Sequence, residues 1–79
     1  MNKSDYINAA EGSLLHTYNR FPLVLDHGEG VYLYDTDGKA YLDFAAGIAV
    51  YALCYSNDDY KKAVKDQIDK VIHVSNLFY

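Results

Sequence analysis

Gly28 and Gly30 flank Glu29 in the stretch His27-Gly28-Glu29-Gly30, a Gly-x-Gly spacing that can let a backbone approach a phosphate. A phosphate cradle needs a helix next, whose N-terminus receives the anion, and the following Val31-Tyr32-Leu33-Tyr34 reads as strand. The glycines therefore read as a turn. Asp35-x-Asp37-Gly38 resembles the opening of a calcium loop, but that loop needs a glycine at its sixth position and a glutamate at its twelfth, and alanines stand at both. Asp-Gly between two apolar runs signals a hairpin instead. Ser13 and His16 lie three apart on a predicted helix, with no third group to orient the imidazole. Lys61, Lys62 and Lys65 cluster, and a neighbouring cation can lower an amine's pKa toward Schiff-base chemistry. They fall on the polar side of an amphipathic helix, however, where lysines are solvated. Cys54 lies in apolar sequence without a neighbouring cation and reads as a buried, inert thiol. His16, His27 and His73 are too scattered for a zinc set. Residue types and spacing alone define no catalytic chemistry.

The totals bound what can position such residues. Seventy-nine residues make at most one domain. A net charge of −4 argues against a nucleic-acid backbone as the main partner. One cysteine excludes an internal disulfide and points to a reducing compartment, here the cytoplasm. The first residues lack the apolar stretch of a signal peptide, and the uncharged run from Phe44 to Asn57 is too short to span a membrane. That run is the oddity of the chain. It reads either as a core helix or as a surface that awaits a partner.

The elements read as α+β. A helix is expected over 4–18, with Ser4 as cap, Asp5 at the positive pole of the dipole, and Tyr6, Ala10, Leu14 and Tyr18 as its apolar stripe. Gly12 costs this helix about 1 kcal/mol, and Pro22 bars its continuation. Strands follow at 23–26, 31–35 and 40–44 as a three-stranded antiparallel β-meander. Alternation places Leu33 and Asp35 on one face and Tyr32 and Tyr34 on the other. A C-terminal amphipathic helix, capped by Ser56 or Asn57, carries Asp58 and Asp59 in its first turn. Its stripe is Tyr60, Ala63, Val64, Ile68, Val71 and Ile72, supported by an Asp66–Lys70 pair, with His73 near its end. This helix is expected to lie on the sheet. Leu77, Phe78 and Tyr79 are apolar where loose ends are usually polar, so the sequence reads as interrupted.

The order of these segments carries a resemblance. "TYNRFPLVLDHGEGVYLYDTDGKAYLDFAAGIAVYAL", followed by "SNDDYKKAVKDQIDKVIHVSNLFY", resembles the N-terminal region of class III pyridoxal-phosphate aminotransferases, within them the acetylornithine subgroup. The likeness runs from about Tyr6 to Tyr79. It implies that residues 1–79 are a single N-terminal segment, part of the small domain of a fold-type I aminotransferase. The catalytic large domain would then lie beyond it, and the remainder of the enzyme and a second subunit would be its partners. The implied reaction moves the amino group of N-acetylornithine to 2-oxoglutarate through pyridoxal phosphate, in arginine biosynthesis. The cofactor's lysine, its aspartate and its phosphate loop would all fall outside this chain. No cofactor or metal is therefore expected to bind the chain alone, and the chain alone is expected not to transaminate.

By the same resemblance Tyr18 matches the place where an aromatic reaches the substrate in ornithine-type relatives, and Ile48 a position lining the substrate pocket. An aliphatic residue at Ile48 suits acetylornithine- or γ-aminobutyrate-type enzymes better than ornithine-type ones. Arg20 is a candidate for meeting a substrate carboxylate. The sequence departs from the family at Cys54, Tyr55 and Asp58, which stand where relatives have glycine, histidine and proline. Cysteine resists the positive φ a glycine allows, so the loop is expected to leave the family's conformation. With Ala45, Ala46, Ala49 and Ala52 upstream, it is expected to become helical. The rival reading is a stand-alone, non-catalytic remnant or interaction module, self-associating into a homo-oligomer through apolar residues around 44–55 and 77–79.

Overall fold

Helix α1 (Lys3–Ser13) opens the chain in the computed structural model, which describes all 79 residues. Its cap is Asn2, not Ser4. The Asn2 side chain accepts from the Asp5 N–H at 2.9 Å, and Asp5 accepts the Asn2 N–H in return at 3.1 Å. This reciprocal pair satisfies two donors that the first turn would leave bare. The helix stops at Ser13, five residues before the expected end at residue 18, with Leu14 already extended. Gly12 and Ser13 weaken the last turn, and no other element packs on the helix to offset them. Leu14 and Tyr18 thereby leave the stripe, and His16 bonds Asn19 at 2.9 Å outside the helix.

Strands β1 (Leu25–Glu29), β2 (Tyr32–Asp35) and β3 (Ala40–Leu42) form the expected meander, in the order β1-β2-β3. The bounds differ from the sequence reading. β1 begins two residues later and runs through His27 and Gly28, so most of the supposed turn is strand. Glu29 pairs with Tyr32, which leaves a two-residue turn with Gly30 first, at φ +59°. A primed hairpin turn requires positive φ at that position. A bulge at Asp26 interrupts the β1–β2 register. Across the same pair His27 stacks on Tyr34, its partner, at 4.8 Å.

Asp35 closes the β2–β3 hairpin and is the single buried residue, at 8% exposure. Its Oδ1 accepts from the backbone N–H groups of Asp37 and Lys39, both at 2.9 Å. Its Oδ2 accepts from the Tyr41 hydroxyl at 2.9 Å. The Lys39 N–H chiefly, with Tyr41 and Asp37, holds the Asp35 carboxyl below its ordinary 3.8, against the opposing effect of burial. A carboxylate that gathers three donors replaces the calcium-loop geometry with a hairpin lock.

Helix α3 (Asp58–Ile68) is capped by Asn57, whose side chain accepts the Tyr60 N–H at 2.8 Å. It ends at Ile68, so Lys70, Val71, Ile72 and His73 lie past it, and the expected Asp66–Lys70 pair does not form. Asp66 pairs with Lys62 instead, at 2.7 Å. The β-branched residues Val71, Ile72 and Val74 favour the stop. Contrary to expectation α3 does not lie on the sheet, and no helix packs on it.

The chain consequently has no buried apolar residue. Its radius of gyration is 16.0 Å, where a compact 79-residue domain has about 12 Å. Its accessible surface is 7145 Å², where a folded monomer of this mass has about 4,800 Å². No helix is long and apolar enough to cross a membrane.

Candidate functional site

The uncharged crossing between β3 and α3 holds the unusual geometry. Alanine propensity does not make it an ordinary helix. Ala46, Gly47, Ile48 and Ala49 form one short turn, α2 (Ala46–Ala49), with φ of +49°, +61°, +63° and +60°. The ψ values at Gly47 and Ile48 are +49° and +48°, so the turn is left-handed. It is closed by Ala49 N–H to Ala45 C=O at 2.7 Å and Val50 N–H to Ala46 C=O at 2.8 Å. For L-residues this hand costs about 1–2 kcal/mol each. Cys54 also takes positive φ, +60°, against the expectation that cysteine would avoid it, and it is half-buried rather than buried.

The base of this crossing is tied at one point. Asp43, just past β3, donates its N–H to the Val31 carbonyl at 2.9 Å and is thereby held to the β1–β2 turn. Its Oδ1 accepts from Ala45 N–H at 3.0 Å and Ala46 N–H at 2.9 Å, the entry to the left-handed turn. Its Oδ2 accepts a short hydrogen bond from the Tyr55 hydroxyl at the far end of the crossing. Tyr55 donates its N–H to the Gly30 carbonyl at 2.9 Å, and Gly30 donates its own N–H to Ser56 Oγ at 2.6 Å. The Tyr55 ring lies against Gly28, where a side chain would meet it. The Tyr55 bond chiefly, then the Ala46 N–H, holds the Asp43 carboxyl below its ordinary 3.8. Asp43 in turn pushes the Tyr55 phenol up to about 12, with burial, Cys54 and Tyr51 acting in the same direction. Tyr51 stacks on Tyr55 and meets Tyr60 of α3 edge-on, at 5.9 Å.

Two clefts flank this tie. One, of about 400 Å³, lies over the sheet and is lined by Leu25, Leu33, Tyr41, Asp43 and Tyr55 among others. The other, of about 250 Å³, is lined by Val50, Tyr51, Ala52, Leu53 and Tyr60. Neither is lined by Tyr18, Arg20 or Ile48. Tyr18 and Arg20 are exposed on the irregular segment after α1, and Ile48 is 93% exposed on the left-handed turn. Asp43, Tyr55, Gly28 and Ser56 were not among the candidates drawn from sequence. Gly28, read from sequence as a turn residue, lies inside β1, and a glycine within a strand marks close approach of another group. No cluster of three metal-ligating side chains exists.

Residues 14–79 match the family described as Aminotransferase class-III, so the chain belongs to that family. It is 43% identical over 75 residues to acetylornithine aminotransferase of Archaeoglobus fulgidus, covering 95% of this chain and 20% of that protein. To acetylornithine aminotransferase of Synechocystis it is 50% identical over 66 residues, 84% of this chain and 15% of that one. The fold superposes on the crystal structure of acetylornithine aminotransferase from Elizabethkingia anophelis with a TM-score of 0.86 and 33% identity, over all of this chain and 21% of that one. The chain thus spans about a fifth of the length of these relatives.

Proposed function

We propose that residues 1–79 are the N-terminal segment of an enzyme that transfers the amino group of N-acetylornithine to 2-oxoglutarate with pyridoxal phosphate, in arginine biosynthesis. One observation carries this beyond family membership: the exposed apolar surface. The excess over a compact monomer is about 2,300 Å², about three times the roughly 800 Å² each partner loses in a standard interface. Phe44, at 91% exposure, and Ile48 stand free in a conformation shared with a segment of a whole aminotransferase. The rest of the enzyme and a second subunit are the bodies proposed to cover them. A cytoplasmic location belongs to the same reading, supported by the lone thiol.

Pyridoxal phosphate, when bound, supplies an electron sink for the substrate carbon. The residues present do not fit it. All six lysines are exposed, and Lys62 is paired with Asp66. The N-termini of α1 and α3 carry Asp5, Asp58 and Asp59, which repel a phosphate. No catalytic step is assigned to this chain, and alone it is proposed to be inactive. Its part is to carry Tyr18, Arg20 and Ile48 as substrate-side residues, Ile48 excluding ornithine-type selectivity.

The test is a chimera in which these 79 residues replace the matching 75 of the Archaeoglobus fulgidus enzyme. Turnover of N-acetylornithine with 2-oxoglutarate by the chimera, and none by the 79-residue chain, is the expected result. Turnover by the chain alone, or a chimera that folds and binds cofactor without turnover, refutes the proposal. The same exposed surface favours a second reading, a self-associating module without catalysis. Stable oligomers of the chain in sedimentation, with an inactive chimera, would select it.

A further inference from the structure

We propose that Asp43 and Tyr55 are positioning residues, a clamp that holds the left-handed turn Ala46–Ala49 and so fixes the direction in which Ile48 is presented. The turn is disfavoured by the chirality of Ala46, Ile48 and Ala49, and strained backbone of this kind persists only where its surroundings hold it. The surroundings here are few. Phe44, Ile48 and Val50 are exposed, so no side-chain packing within the chain steadies the turn from above. The polar contacts converge at its base on one carboxylate. Oδ1 takes the two N–H groups that start the turn, and Oδ2 takes the hydroxyl that ends the crossing. Each end is tied to the β1–β2 turn by its own backbone bond, Asp43 to Val31 and Tyr55 to Gly30. The lowered Asp43 and raised Tyr55 pKa values agree with a hydroxyl bonded to a carboxylate.

Relatives carry histidine at the position of Tyr55, by the resemblance described above, and an imidazole N–H can also donate to a carboxylate. Tyr55→His should therefore keep the clamp, whereas Tyr55→Phe keeps the ring against Gly28 and removes only the donor. That pair of variants separates the bond from the packing. The consequence for substrate rests on the function proposed above, while the clamp itself does not.

Amide exchange over Asp43–Val50 is compared among wild type, Tyr55→Phe and Tyr55→His, in the 79-residue chain and in the chimera. Loss of one charge-assisted bond should speed exchange there about tenfold in Tyr55→Phe and about twofold or less in Tyr55→His. The Asp35–Lys39 hairpin should be unaffected and shows that the variant folds. In the chimera Tyr55→Phe should raise KM for N-acetylornithine about tenfold with kcat little changed, and Tyr55→His should restore it. Equal exchange in wild type and Tyr55→Phe in both settings overturns the clamp. Faster exchange with unchanged KM overturns the positioning role. An inactive wild-type chimera counts against the proposed function, and exchange still decides the clamp.

Discussion

Gly28→Ala tests whether the crossing is seated on the sheet as described. An alanine Cβ at this position would lie 2.7 Å from Tyr55 Cδ1 and 2.8 Å from Tyr55 Cβ. Carbon atoms rest at about 3.5–4.0 Å, so the ring must retreat by roughly 1 Å. Retreat pulls on the Tyr55–Asp43 bond, on Tyr55 N–H to Gly30, and on Gly30 N–H to Ser56. Overpacking of this order costs about 1–3 kcal/mol, which is about a 5- to 150-fold shift toward the unseated crossing. Hydrogen exchange by mass spectrometry on the chimera, over Leu53–Asn57, reads that shift directly. The Asp35–Lys39 peptide serves as the internal control. In a Tyr55→Gly background every clashing side-chain atom, Cβ included, is gone, so Gly28→Ala should then be nearly silent. Exchange over Leu53–Asn57 within about twofold of wild type would refute the seating, as would an equal effect of Gly28→Ala in both backgrounds.

Further outcomes follow from the same geometry. Asn57→Ala removes the α3 cap and should cost about 1 kcal/mol of helix stability, seen as lost far-ultraviolet ellipticity, with Asn57→Asp close to wild type. Cys54→Gly relieves a positive-φ cysteine and should stabilise the chimera by about 1 kcal/mol in thermal unfolding, whereas Cys54→Val should destabilise it. The Asp35 carboxyl lies below its unfolded value in the fold, so its stabilisation is present above that ordinary value of 3.8. It is lost as pH falls through the lower folded one, and the Lys39 amide should lose protection in that window in wild type but not in Asp35→Asn. Ile48→Tyr in the chimera should raise KM for N-acetylornithine more than for ornithine, and equal effects on both would remove Ile48 from the substrate side.

The meander was legible because its signals are local: alternating aromatic and β-branched residues, and an Asp-Gly turn. The last helix was legible for the same reason, from Asn57 and two aspartates ahead of an apolar period. Its docking was not, because an apolar stripe states that a face wants cover and not which body covers it. Tyr60, Val64 and Ile68 are that face, and the sheet does not supply the cover. The crossing was the least legible part. Its alanines favour a right-handed helix, and what prevails is set by Asp43 and Tyr55, which meet across twelve positions of sequence. No periodicity reports such a pairing. Tyr18, Arg20 and Ile48 came from resemblance alone, and their exposure leaves their neighbours to be found outside this chain.

The isolation of α3 from the sheet makes the helix a lever. Eleven residues give it a length of about 16 Å, and its bearing against the crossing is at its first turn, where Tyr60 meets Tyr51 edge-on and lines a cleft with Val50, Ala52 and Leu53. A swing of about 10° at that bearing carries the far end by about 3 Å over this length. Small substitutions between Val50 and Asn57 should thus be felt most strongly not where they occur but at Ile68 and beyond, as a change in where the helix is aimed.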